Sequence, residues 1–284
     1  MLSGAGVPRA GQTVGVERGM TPEDHLKAGD PDGALLALQA LVRAKPADAK
    51  LRIFLFQLLC VLGDWNRAIR QLKVCGELDA GALQMAQAYR EAIICEVYRE
   101  KVFAGDKAPL VFGEPQEWLA WLIEAQKLLA QGNATAAADL RARAFDAAPA
   151  TQGEFDGIPF DWIADADMRF GPVLEAVVNG RYFWLPFAQI RSIGFDPPTD
   201  LRDAVWTAAT IKLANEGAVV ALIPTRYPGS GTRGTAAEKL ARATSWADAG
   251  GDTFVGTGQR LLSTDAGDVA LLDARLITFT AAAG

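Results

Sequence analysis

Asn179-Gly180 stands between two β-rich runs, VLEAVV and RYFWLP. Both residues tolerate the positive φ that a two-residue type I′ turn demands, so a tight hairpin is predicted there. The stretch around it, Gly153 to Phe187, divides the chain in two. Before it, apolar residues recur with helical period. After it, short β-rich runs alternate with turn residues. The expected fold is therefore α+β in two domains. A flexible tail is expected over residues 1–21, a helical domain over 22–150 and a β-rich domain over 151–284.

The helical part carries a repeated layout. Gly29-Asp30 precedes ALLALQALVRAKP, and Gly63-Asp64, 34 residues on, precedes WNRAIRQLKVCGELDA. Gly132-Asn133 precedes TAAADLRARAFDAAP, and in all three an alanine (Ala34, Ala68, Ala137) follows the glycine by five residues. A 34-residue period with a glycine turn, a small early residue and a terminal proline is the tetratricopeptide layout. The glycine reverses the chain, the small residue lets paired helices approach, and proline stops the second helix. The match is irregular. Phe56 and Ala125 stand where the first helix of a unit would carry glycine, and Arg141 replaces a large apolar residue. A long helix over about 82–103 and an insert, GDKAPLVFGEP, separate the second and third units. Such arrays commonly take a peptide or helix on their concave face. Tyr89, Tyr98, Trp118 and Trp121 are the candidates for that face. The alternative reading places all four in the packing between helices.

In the second part, Pro197-Pro198-Thr199-Asp200, Asn215-Glu216-Gly217 and Thr264-Asp265-Ala266-Gly267 separate short strands. This spacing predicts a small antiparallel, barrel-like fold or a strongly curled sheet. KLARATSWAD fits either helix or strand.

Composition narrows the function. Of 284 residues, 50% are hydrophobic, enough for two real cores. No apolar run reaches the ~18 residues needed to span a bilayer, and the N-terminus lacks the apolar core of a signal peptide. Cys60, Cys75 and Cys95 lie among helical apolar residues and read as reduced, packed thiols of a cytoplasmic protein. Residues 1–152 carry 17 Lys+Arg against 18 Asp+Glu, and the remainder 11 against 16. Neither part has the basic footprint of a nucleic-acid binder.

Candidate chemistries are few. Gly229-Ser-Gly231-Thr-Arg-Gly234 spells GxGxxG, but Pro224 to Pro228 intervenes after the strand and too little chain follows for a doubly wound sheet. Asp156, Asp161, Asp165 and Asp167 could bind a hard cation, but they lack the glycine and distal glutamate of an EF-hand loop. Beside Arg169 they are expected to cap turns and pair with the arginine. One histidine, His25, and three scattered cysteines make no zinc site, and His25 reads as an exposed bystander. No catalytic residue, metal ligand or cofactor site is assigned. The competing reading is a hydrolase or nucleotide-binding enzyme using the acidic 156–169 segment or the Gly229–Gly234 loop.

Longer segments carry a resemblance. FDGIPFDWIADADMRFGPVLEAVVNGRYFWLPFAQI, PPTDLRDAVW, IPTRYPGS, GQRLLSTD and LLDARLI resemble the ImpE/SciE (TagJ) family, accessory proteins of bacterial type VI secretion systems. With the helical beginning, the resemblance spans about residues 25–280. It implies a cytoplasmic, non-enzymatic factor that binds the small sheath subunit TssB through a short helical segment near that subunit's N-terminus. It further implies an indirect link to sheath recycling by the ClpV-type AAA+ ATPase.

Overall fold

The computed structural model describes residues 19–113 and 116–280, so the expected tail lies, through residue 18, outside the described residues. Helices come first: α1 (Pro22–Lys27), α2 (Pro31–Ala44), α3 (Ala49–Val61), α4 (Trp65–Leu78) and the long α5 (Leu83–Phe103). A short strand, β1 (Leu110–Val111), precedes the last long pair, α6 (Glu117–Ala130) and α7 (Ala134–Ala147).

The three glycine turns are one joint used three times. Gly29, Gly63 and Gly132 have φ of 78°, 70° and 82°. The next amide reaches back five residues in each: Asp30 to the carbonyl of His25 at 2.8 Å, Asp64 to Leu59 at 2.9 Å, Asn133 to Leu128 at 2.9 Å. This satisfies carbonyls left over at the helix end, in a conformation that costs glycine no steric penalty. Ala34, Ala68 and Ala137 are fully buried where paired helices meet. His25 is not a bystander, because its Nδ1 lies 2.8 Å from Oδ2 of Asp30, the residue capping α2.

The strands that follow are β2 (Gly153–Phe155), β3 (Ile158–Phe160), β4 (Ile163–Asp165), β5 (Val173–Val178), β6 (Arg181–Pro186) and β7 (Ile190–Phe195). Then come β8 (Trp206–Leu213), β9 (Ala218–Pro224), the single turns α8 (Ser230–Arg233) and α9 (Ala236–Lys239), β10 (Thr244–Asp248) and β11 (Phe254–Gly258). The chain ends in β12 (Leu261–Thr264), β13 (Gly267–Ala270) and β14 (Leu276–Phe279). Asn179 and Gly180, at φ 49° and 68°, join β5 to β6 as their sequence requires. KLARATSWAD divides into the end of α9 and strand β10.

Among the described residues, nine strands form one sheet in the order β1-β6-β5-β9-β8-β7-β14-β2-β3. All its pairings are antiparallel except β1 with β6. Strands β13-β12-β4 and β10-β11 form two smaller sheets. The barrel expectation is corrected on one point. The edge strands β1 and β3 do not pair with each other, so the sheet is open. They are only two and three residues long, and β1 is contributed by the insert between α5 and α6.

One core lies within the curled sheet, around Leu174, Ile193, Ile211, Ile223 and Ile277. The other two mix both parts of the chain. Trp206 and Leu240 pack with Leu38, Phe56 and Leu72, and Val173, Trp184 and Tyr227 pack with Trp118 and Leu122. The GxGxxG segment belongs to this junction. A Cβ at Gly231 would lie 3.0 Å from the amide nitrogen of Gly63 and 3.1 Å from its Cα. The segment is thus the backbone seat for a repeat turn. Gly231→Ala should force the two backbones apart and lower unfolding free energy by about 1–3 kcal/mol. Unchanged denaturant midpoints would show that this seat does not hold the junction.

Candidate functional site

Strand β5 is buried on both faces, and its alternation explains what it carries. Leu174, Ala176 and Val178 enter the sheet's own core, whereas Val173 and Val177 face the helices. Glu175 shares that second face and is fully buried. On α5, Ala92, Glu96, Arg99 and Val102 form one buried stripe at helical spacing. The two elements meet through charge. Arg99 Nε and Nη2 donate to the two carboxylate oxygens of Glu175, each at 2.6 Å, a bidentate pair.

The network spreads from there. Arg260, fully buried, donates to both Glu175 and Asp165. Tyr182 donates its hydroxyl to Glu175 and accepts the indole N–H of Trp184 at 2.8 Å. Glu96 accepts from Arg99 at 3.2 Å and from the Trp206 indole at 3.2 Å. Asp167 binds the Arg169 guanidinium and accepts the amides of Arg169 at 2.9 Å and Gly256 at 2.7 Å. Asp165 accepts the Asp167 amide at 2.9 Å. Both acids bond to backbone amides; Asp167 takes Arg169 as expected, whereas Asp165 takes the distant Arg260. Arg226 donates to the carbonyls of Val61 at 2.8 Å and Cys60 at 3.3 Å, where the C-terminal end of α3 concentrates partial negative charge.

Environment sets the charge states. Burial pushes the Glu175 carboxyl up, but Arg99 and then Arg260 outweigh it and hold it below its ordinary 4.5. Burial pushes Asp165 up to about 7, with Arg260 opposing and Asp167 adding to the rise. Burial also raises all three thiols, Cys75 to about 11 and Cys95 to about 12, which removes thiolate character. Both oxygens of Glu175 are engaged by donors, so it is a saturated acceptor at the centre of a junction.

The four aromatic candidates fall at different places. Tyr89 packs against Phe56 at 5.8 Å and Trp206 at 5.7 Å, beneath the Arg202 guanidinium. Trp118 is 5% exposed and belongs to a mixed core, where it offers no surface to a partner. Trp121 is half-buried, with Arg143 stacked 4.4 Å over its ring. Tyr98 is half-buried, donates to the carbonyl of Ala108 at 2.7 Å and lines a groove of about 310 Å³ with Ile94 and Tyr182. Tyr98, Trp118 and Trp121 lie in or against one mixed core, and Tyr89 lies against the other. Sequence reasoning passed over Glu175, although a lone carboxylate inside VLEAVV was a usable signal. Arg260, in a run with no periodic cue, had none.

Residues 157–278 match the family described as ImpE protein, and residues 25–91 match a tetratricopeptide repeat family. The type VI secretion system accessory component TagJ of Pseudomonas aeruginosa is 53% identical over 260 residues, covering 92% of this chain and 91% of that one. A crystal structure of a Vibrio parahaemolyticus protein, 23% identical, matches with a TM-score of 0.84 over 91% of this chain and 97% of that one. At that identity the likeness concerns the fold.

Glu175→Gln leaves two buried guanidiniums short of countercharge and should cost about 3–5 kcal/mol of stability in denaturant titrations. The pH dependence follows from the two carboxyls. Glu175 sits below its unfolded value, so its contribution is present above about pH 4.5 and lost as pH falls through the lower folded value. That acid-side loss should shrink in Glu175→Gln. Asp165 has the opposite sign. Its folded value near 7 lies above 3.8, so its contribution to stability declines as pH rises between those values. Asp165→Asn should flatten that decline; a profile parallel to wild type would refute the assignment.

Proposed function

We propose a function from the premise that the chain belongs to the ImpE protein family: it serves type VI secretion as an accessory, adaptor-type component. The carrying observation is the 53% identity to the Pseudomonas aeruginosa accessory component TagJ along nearly the whole of both chains. The tetratricopeptide match over residues 25–91 supports a protein-binding role, since paired helices in such arrays present grooves for peptides or helices. In this reading a short helical segment near the N-terminus of the sheath subunit TssB is the ligand. The link to the ClpV-type ATPase is indirect, through the sheath subunit they share.

The reading is non-enzymatic and cytoplasmic. Two features support it against the hydrolase or nucleotide-binding alternative. The acids at 165 and 167 are engaged by Arg260 and Arg169, and the Gly229–Gly234 segment is seated against Gly63. Among the described residues no helix is long and apolar enough to cross a membrane.

Calorimetry with a synthetic peptide of the TssB N-terminal segment should give saturable, stoichiometric binding. A flat titration against both peptide and whole TssB would sink the adaptor reading. Thermal-shift screening against nucleotides and divalent cations should leave the transition in place. A real ligand would raise the unfolding free energy by about 2.7 kcal/mol at a hundredfold excess over its dissociation constant, and so shift the transition upward.

A further inference from the structure

Strands β10 and β11 form a sheet of their own, and its two edges differ. Alternate residues of a strand aim their backbone groups to opposite sides, so the hydrogen bonds show which way each residue faces. The outer edge of β11 is covered. Gly256 donates its amide to Asp167 at 2.7 Å, and Gly258 donates to Ser230 Oγ at 2.8 Å. Gly258 also accepts the Tyr227 amide at 2.9 Å, and Phe254 accepts the Met168 amide at 3.2 Å. Val255 and Thr257 therefore face β10, where they lie opposite Ala247 and Ser245. Ala243 accepts from Gln259 and Ala249 donates to Thr253, which continues the same alternation. Thr244, Trp246 and Asp248 are left with their N–H and C=O groups directed away from β11. No backbone partner meets those groups among the described residues.

This is the longest uncovered strand edge among the described residues. The main sheet ends in β1 and β3, of two and three residues, and β3 carries Pro159. β10 has five residues, all but Thr244 exposed, with no proline, no lysine and no shift of register. Edges are normally blunted by one of those devices. The hairpin is also held in place. Gly250 and Gly251 at its turn lie against Ala134 and Ala138 of α7, and the Trp246 ring, 40% exposed, packs on Tyr227 at 5.5 Å.

A row of backbone donors and acceptors at strand spacing is matched by another strand. The charges along β10 select which one. Arg242, exposed, precedes the strand, with the half-buried Lys239 three residues before it. Asp248 and Asp252, both exposed, lie at the other end. None of the four joins an ion pair among the described residues. Glu238, beside Ser245, is already engaged by that hydroxyl and by the Thr235 amide at 2.6 Å. A parallel neighbour of the same sequence would set like charges side by side. An antiparallel one sets the basic end of each strand beside the acidic end of the other.

We propose that β10 is the contact between two copies of this chain, paired edge to edge and antiparallel about a twofold axis at Trp246. In that register Trp246 meets its counterpart and Thr244 meets Asp248 of the second copy, so every free backbone group of the edge gains a partner. Arg242 of each copy lies diagonally across from Asp248 of the other, and the two indoles form a cross-strand aromatic pair. The contact is isologous, with one patch serving both copies. It is small, so association depends on concentration. The inference goes beyond the adaptor reading and does not depend on it.

Sedimentation velocity of the full-length protein over a concentration series tests the pairing. Wild type should shift from monomer toward dimer as concentration rises. Arg242→Asp and Asp248→Arg should each weaken association at least ~10-fold, because each sets like charges across the seam. Mixed together, these two variants should associate with each other as tightly as wild type does, since opposite charges then meet at both ends. Hydrogen exchange should show the amides of Trp246 and Asp248 gaining protection as the dimer forms. Wild type that stays monomeric at the highest concentration reached overturns the proposal. A dimer indifferent to both charge reversals, variants that fail to associate when mixed, or a dimer whose Trp246 and Asp248 amides exchange as fast as the monomer's overturns it equally.

Discussion

The bidentate pair between Arg99 and Glu175 is the contact on which the rest of the molecule depends. One partner lies on the longest helix and the other on a central strand of the largest sheet, 76 residues apart in sequence. A buried ion network contributes little more than apolar packing of equal volume. It does, however, penalise an arrangement that strands one charge, by about 3–5 kcal/mol. Arg260 ties the same carboxylate to Asp165, and Asp165 binds the amide of Asp167. Only one docking of helices on sheet neutralises all of these at once. The network therefore selects a geometry, while the mixed apolar cores around Trp184 and Trp206 supply the bulk of the burial.

Backbone contacts repeat the same logic on a finer scale. Arg226, just beyond β9, caps the last buried carbonyls of α3, and Gly231 lies directly against Gly63 at the following turn. The segment IPTRYPGSG thus works as a clamp on one repeat joint: Arg226 satisfies the helix end, and Gly231 permits the approach. At the far end of the array the β10–β11 hairpin grips α7 through two further glycines and the Arg141–Thr253 bond. Arg141 departs from the apolar pattern of a repeat because its position faces this hairpin instead of another repeat.

For an accessory protein this construction has a consequence. A free-standing repeat array flexes along its length, since each unit contacts only its neighbours. Here the second and third helical pairs are both fastened to the sheet, so the spacing between them is held by the β part.

Much of this was legible in the sequence, and the reason is local. Glycine at a helix end, aspartate at the next helix start and Asn-Gly between β-rich runs act within a few residues of themselves. The glycine joints, the paired helices and the β5–β6 hairpin therefore follow from sequence alone. So do the long α5 and the engagement of Asp165 and Asp167, whose turn contacts span two residues. What only tertiary structure decided involves partners far apart. Nothing near Arg260 announces that it would meet Glu175, 85 residues away. The four aromatics could not be sorted either, because helical spacing shows which residues share a face and not what covers it. Trp118 lies inside a core that strands β5 and β6 complete, and Tyr89 lies under Arg202. The openness of the sheet was equally out of reach, since closure depends on whether two distant edge strands meet.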